Sequence, residues 1–495
     1  MKISTVNLLL AGWITISLMT GCGGVKKKMT TDIPATTQSK EATESFRQGL
    51  MSLDQNDNQK ARACLLKAIG EDPKLAVAYM YKSGTDLTPK EFAEDLEKAK
   101  ANLEGASEWE KLYYDYTATF LSSDWNKRLK VCQEIAAKYP DAPRPQVDLG
   151  ITYLNGNDIT KARACFQKAV ELDPDWIGGY TAMINVYLFF DPKDFKKAQD
   201  YALKAVELAP TSPGVRIALG DCYRAEKDLE KAKEAYSKAI ELDPASTDPY
   251  YKKGNANTFL GNLEEARQNY TDGGKYDQSA TGAVPFIAYT YLYGGDPNAA
   301  LKCYSDALDH LNTSGSDQGK VDFARNMYLQ DCASIATFNN DAPKLKELIT
   351  QIEPLSVQVG NDMGTQEAKL SQKASMLTLE ALSAALEGKF DVAKSKAEEI
   401  KTTLEPLTDP EKLDGYEFVL GFISMKQKNF PDAITHFEKT LQTSIYNKYW
   451  LATAYEAAGS KDKAKAIYKE LADYNFNSIE FALIRNEVKK KAASL

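Results

Sequence analysis

Histidine is almost missing from this chain: His310 and His436 are the only two in 495 residues. Neither has a second ligand-type residue at metal-binding spacing, so histidine-based hydrolysis and zinc chemistry find no material here. His310 closes a helical stretch beside Leu311, a position that suits the negative end of a helix, and His436 lies beside Phe437; both read as structural. The sequence contains no C-x-x-C, G-x-S-x-G, P-loop, H-E-x-x-H or G-x-G-x-x-G pattern. A basic excess is also missing. With 61 basic against 69 acidic residues the net charge is -8, which disfavours nucleic acid or anionic lipid as the main partner. No enzymatic activity and no cofactor or metal are expected.

What is present begins at the N-terminus. Lys2 precedes a mostly apolar run from Ile3 to Leu18, followed by Met19-Thr20-Gly21-Cys22. Such a run is too short and too abruptly ended to span a bilayer, which takes about 20 residues, and reads as a signal peptide over 1–21. The residues before Cys22 resemble a bacterial lipobox, although Met19 stands where leucine is usual. That resemblance implies lipid attachment at Cys22, and Gly23-Gly24 after it imply the outer membrane of a diderm bacterium. Residues 22–40 hold few large apolar side chains and are expected to form a flexible tether. No later stretch is apolar enough to span, so the membrane is expected to be met through the lipid only.

The body of the chain repeats itself. Leu149-Gly150, Tyr153, Ala162, Phe166, Ala169 and Pro174 recur as Leu219-Gly220, Tyr223, Ala232, Tyr236, Ala239 and Pro244, each displaced by 70. One alanine returns at 162, 198, 232, 266 and 300, in steps of 36, 34, 34 and 34. This resembles the tetratricopeptide repeat, a 34-residue helix–turn–helix unit. Each feature has a physical reason. The small residue at the eighth place (Gly150, Gly220, Gly254, Ala288) admits the second helix close to the first, and an aromatic at the twenty-fourth fills the gap. The alanine lets the next hairpin approach, and the proline stops the second helix. One hairpin cannot bury its apolar face alone, so neighbours must stack into a solenoid.

The resemblance predicts an all-α, right-handed superhelix of about ten hairpins with a C-terminal capping helix over Ser478–Lys491. Partly degenerate hairpins occupy 41–142, a well-phased array 143–311 and a degenerate stretch 312–413. Recognisable hairpins and the cap fill 414–495. In the degenerate stretch, helices near 320–337, 341–352, 367–387 and 389–404 still come in pairs. Longer helices and a hinge between two sub-arrays are expected there.

Six cysteines besides Cys22 remain. Cys64, Cys165 and Cys303 share one repeat position, and Cys132 and Cys165 fall on successive hairpins about 8–10 Å apart, beyond the roughly 7 Å reach of a disulfide. Free buried thiols are expected, with Cys303 and Cys332 the pair that spacing leaves open.

Tetratricopeptide arrays bind ligands on the concave wall, through repeat places 2, 5, 9, 12 and 13. Those places hold Asp221 and Arg224, then Tyr251, Asn255 and Phe259, then Tyr289 and Tyr293. Toward the C-terminus they hold Phe418, Phe422 and Tyr449. This wall is aromatic, and Tyr251 stands where chaperone-tail binders carry lysine. The implied function is a non-enzymatic scaffold that engages an envelope protein, as a peptide segment or helix, in its groove. The alternative is a glycan-binding lipoprotein of the SusD-like kind.

Overall fold

The computed structural model describes residues 35–122, 124–311 and 317–494, and these form 25 α-helices and no strand. Cys22 and the segment read as a signal peptide lie outside the described residues, as does most of the Asn312–Gly319 loop. None of the described helices is long and apolar enough to cross a membrane.

Helices α1 (Lys40–Asp54) and α2 (Asn58–Glu71) open a series of antiparallel pairs. It continues through α3 (Ala76–Ser83), α4 (Pro89–Ala101), α5 (Glu108–Ser122), α6 (Trp125–Lys138), α7 (Pro143–Asn155) and α8 (Ile159–Leu172). Then come α9 (Ile177–Phe189), α10 (Phe195–Leu208), α11 (Pro213–Ala225), α12 (Leu229–Leu242), α13 (Asp248–Leu260) and α14 (Leu263–Gly274). The second half runs through α15 (Val284–Tyr293), α16 (Pro297–Leu311), α17 (Gln318–Phe338), α18 (Ala342–Asp362), α19 (Gln366–Leu386) and α20 (Phe390–Leu404). It ends with α21 (Asp414–Lys426), α22 (Phe430–Phe437), α23 (Ile445–Ala457), α24 (Lys461–Ala472) and the unpaired α25 (Ile479–Ser494). The pairs number twelve rather than about ten, an α-solenoid with a terminal helix.

Many of the hairpin turns are made the same way. One residue takes a left-handed conformation: Asn56, Asn157, Lys227 and Asn340 do so with φ between 58 and 68°, and Gly261, Gly388 and Gly459 do so in other hairpins. The residue after it caps the second helix. Asp57, Asp158, Asp228 and Asp341 each accept a hydrogen bond from the backbone N–H of the lysine three residues on, which satisfies an otherwise orphaned donor at the helix start. The close approach within a hairpin follows from the eighth place. A Cβ on Gly254 would lie 2.5 Å from the Tyr270 ring, and one on Gly421 would lie 2.6 Å from that of Phe437. The recurring alanines, among them Ala162, Ala232, Ala300, Ala433 and Ala464, are fully buried.

The middle stretch contains the long helices expected of it: α17, α18 and α19 have 21 residues each. Their extra turns explain the lost repeat phase. The chain divides elsewhere, however. One compact unit holds the described residues to Leu260 with Gln268–Ser279; the other holds Gly261–Arg267 and everything from Ala280. The division therefore falls at α14, inside the regular array. The stretch read as tether also gives its last residues to the fold. The Thr36 backbone N–H donates to Glu110 Oε1 at 3.1 Å, its hydroxyl bonds the same carboxylate, and Glu110 is fully buried.

Candidate binding faces of the two units

In the N-terminal unit the turn that ends α1 packs against the first helices of later hairpins. Asp54 ends α1, and its carboxylate takes two hydrogen bonds from Arg144 on α7, at 2.8 and 2.9 Å. The indole N–H of Trp176 donates to the same carboxylate at 2.7 Å, and the Thr181 hydroxyl donates to the Asp54 carbonyl at 3.0 Å. At the start of α11 the Gln55 carbonyl occupies the space where any side chain on Gly214 would stand. Sequence reasoning misses Asp54 and Trp176. Arg144 could have been found, because it holds the second repeat place of its hairpin.

The predicted residues of this unit come together, but facing inward. Asp221, 7% exposed, accepts from Arg224 at 2.8 Å, Tyr236 at 2.8 Å and Lys252 at 2.9 Å. Burial pushes its carboxyl up, yet the Lys252 and Arg224 charges prevail and hold it down at about 2. Asn255 accepts from the buried Tyr270 hydroxyl at 2.8 Å, Tyr251 donates to Asp277 at 2.6 Å, and Phe259 is buried. Asp221, Arg224, Tyr251 and Asn255 thus take part in hydrogen bonds within the unit, and Phe259 is buried. The reason is physical: buried polar groups need partners, and here the same hairpin supplies most of them while the next one supplies Lys252.

The C-terminal unit repeats the theme with its last helix. Tyr289 donates to Asp331 at 3.1 Å, and the buried Tyr304 hydroxyl donates to the same carboxylate. Burial pushes the Asp331 carboxyl up to about 7, against the pull of these two hydroxyls and with the Glu480 charge adding to the rise. Tyr293 donates to Asn477 at 2.8 Å and its ring meets Phe481 edge-on at 6.2 Å. Tyr449 donates to Glu487 at 2.8 Å and lies 6.0 Å from the Phe338 ring. Phe418 and Phe422 pack on Trp450, at 6.5 and 5.1 Å. Of the predicted residues, Tyr293, Phe418, Phe422 and Tyr449 are therefore buried and Tyr289 is half-buried, each with contacts inside the unit. His436 bonds Glu417 at 2.6 Å. The six described cysteines, Cys303 and Cys332 included, are free thiols. Among the described residues no three His, Cys, Asp or Glu side chains cluster as a metal site would require.

An open cleft of about 430 Å³ lies on a different surface, between Glu438, Leu451, Tyr455, Lys463 and Ile467.

Models of the tetratricopeptide repeat match residues 143–176 and 446–475, and a TPR repeat model matches 220–258. The chain carries tetratricopeptide repeats. It is 29% identical over 158 residues to the human protein O-mannosyl-transferase TMTC3, which covers 30% of this chain and 16% of that one. The chain thus spans about a sixth of that curated relative. A thermophilic TPR protein of Thermus thermophilus, TTC0263, is 18% identical, covering 34% of this chain and 91% of its own, with a TM-score of 0.30. The APC/C hetero-tetramer Cut9-Hcn1 is 13% identical over 91% of this chain and 76% of that one, with a TM-score of 0.42. Tetratricopeptide repeats are generally non-catalytic and suggest a protein-binding scaffold.

Proposed function

We propose that this protein is a non-enzymatic scaffold that binds a protein partner at the bacterial cell envelope, held there by a lipid on Cys22. The observation that carries the reading is the repeat array itself. Stacked hairpins recur through the described residues of each unit, and in such arrays function comes from what their surfaces hold. The Met19-Thr20-Gly21-Cys22 sequence supports the anchor, with the outer membrane as the destination. A SusD-like sugar site is not favoured over this reading, because the described helices follow one another without the long irregular excursions that such a site needs.

Crosslinking in intact cells, followed by purification from detergent-solubilised envelope, tests the scaffold reading. The expected result is a stoichiometric protein partner. Recovery of the chain alone under gentle conditions would overturn it. Metabolic labelling with a radioactive fatty acid tests the anchor, and label retained by a Cys22→Ser variant would refute it.

A further inference from the structure

Helix α25 does more than cover the last hairpin. It packs on α23 and α24 and also reaches α15 and α17, the first helices of the opening hairpins of the same unit. Phe481, Ile484 and Val488 are fully buried. They stand at i, i+3 and i+7, the spacing by which an amphipathic helix anchors in a groove. Polar contacts frame this apolar seam. The Asn486 amide donates to the Tyr293 carbonyl at 3.2 Å, where α15 ends. Glu487 accepts from Tyr449 at 2.8 Å, and Lys491 pairs with Glu456 at 2.6 Å.

We propose that the concave face of the C-terminal unit is a receptor for one amphipathic helix, that α25 is its resident occupant, and that a partner binds by presenting a helix of the same pattern in its place. This rests on the scaffold reading above. The partner helix carries three apolar side chains at i, i+3 and i+7, a carboxylate at i+6 to meet Tyr449, and an ammonium at i+10 to meet Glu456. An uncharged apolar segment leaves Glu456 without its ion pair, with only the Tyr468 hydroxyl donating to it at 3.1 Å, and is disfavoured.

Exchange is physically accessible. The backbone hydrogen bonds of α25 are made within the helix itself. The conformational freedom regained by its residues offsets much of the burial that is lost.

A fluorescent peptide of residues 478–494, titrated into the full chain, tests the proposal. A Phe481→Ala/Ile484→Ala double variant, whose resident helix is weakened, should bind it at least tenfold more tightly than the unmodified chain. Peptide carrying F481A should fail to compete. A double variant that keeps its helical content and cooperative melt yet binds no more tightly overturns the proposal. Hydrogen exchange on the unmodified chain is a second test, independent of whether the variant folds. Amides of α25 should exchange at least tenfold faster than those of α23, and exchange of both together would equally overturn it. Peptide uptake without any partner crosslinked in cells would sink the scaffold reading and leave the helix receptor standing.

Discussion

The carboxylate of Asp54 and the guanidinium of Arg144, ninety residues apart in sequence, meet in a two-bond pair with side chains 8 and 11% exposed. The pair fixes the first hairpin turn against α7. Forked pairing of this kind holds orientation as well as charge. Removing one partner leaves the other buried and uncompensated, at a cost of about 3–5 kcal/mol. Arg144→Ala and Asp54→Ala should each lower the denaturation midpoint of the N-terminal unit strongly. The double variant should lose much less than the sum of the two. Additive losses in chemical denaturation would show that the two groups act independently.

The hairpin glycines divide into two kinds with different expected costs. Gly254 faces the buried Tyr270 ring, so Gly254→Val forces that ring to move and should cost about 1–3 kcal/mol, as overpacking does. Gly388 has φ of +74° with open space around it, so Gly388→Ala meets only backbone strain of about 1 kcal/mol. Thermal melts of both variants check the ranking, which reverses if the Tyr270 ring gives way freely.

The aspartate caps offer a smaller and more uniform effect. Asp228 accepts from the Lys231 N–H at 3.2 Å at the start of α12. Asp228→Ala should lower stability by about 1 kcal/mol, while Asp228→Ser should retain most of it. Equal losses in the two variants would assign the effect to lost charge rather than to the cap.

These residues also show how far the sequence could be read. The hairpin pattern was legible because each of its signals is local: Gly220 and Tyr236 lie in one hairpin, and the alanine at 232 meets only its neighbour. The helical pairs of the middle stretch were legible too, but their repeat phase was not, because α17 to α19 carry extra turns. The fate of the concave wall was not legible at all. Places 2, 5 and 9 of a repeat mark which side chains face inward along a first helix, but not what lies opposite. Asp54 reaches Arg144, and Glu487 reaches Tyr449, only because of how each unit curves, and curvature accumulates from small rotations between hairpins that no single repeat records.

Asp331 gives the C-terminal unit a defined dependence on pH. It lies 8% exposed beneath Tyr289 and Tyr304, and burial raises its carboxyl to about 7, whereas an unfolded aspartate titrates near about 3.9. Between these values the folded state binds a proton that the unfolded state has released, so stability falls as pH rises through this window. Below the unfolded value both states are protonated, and above about 7 both are ionised; the contribution is flat on either side. Asp331→Asn keeps a carbonyl acceptor for one tyrosine and carries no charge at any pH. Its unfolding midpoint should therefore lie below or near that of the unmodified chain at pH 4 and above it at pH 8. Denaturant unfolding across pH 4–8, followed by helical circular dichroism, measures the difference directly. A gap between variant and unmodified chain that stays constant across that range would show that Asp331 remains ionised in the folded unit.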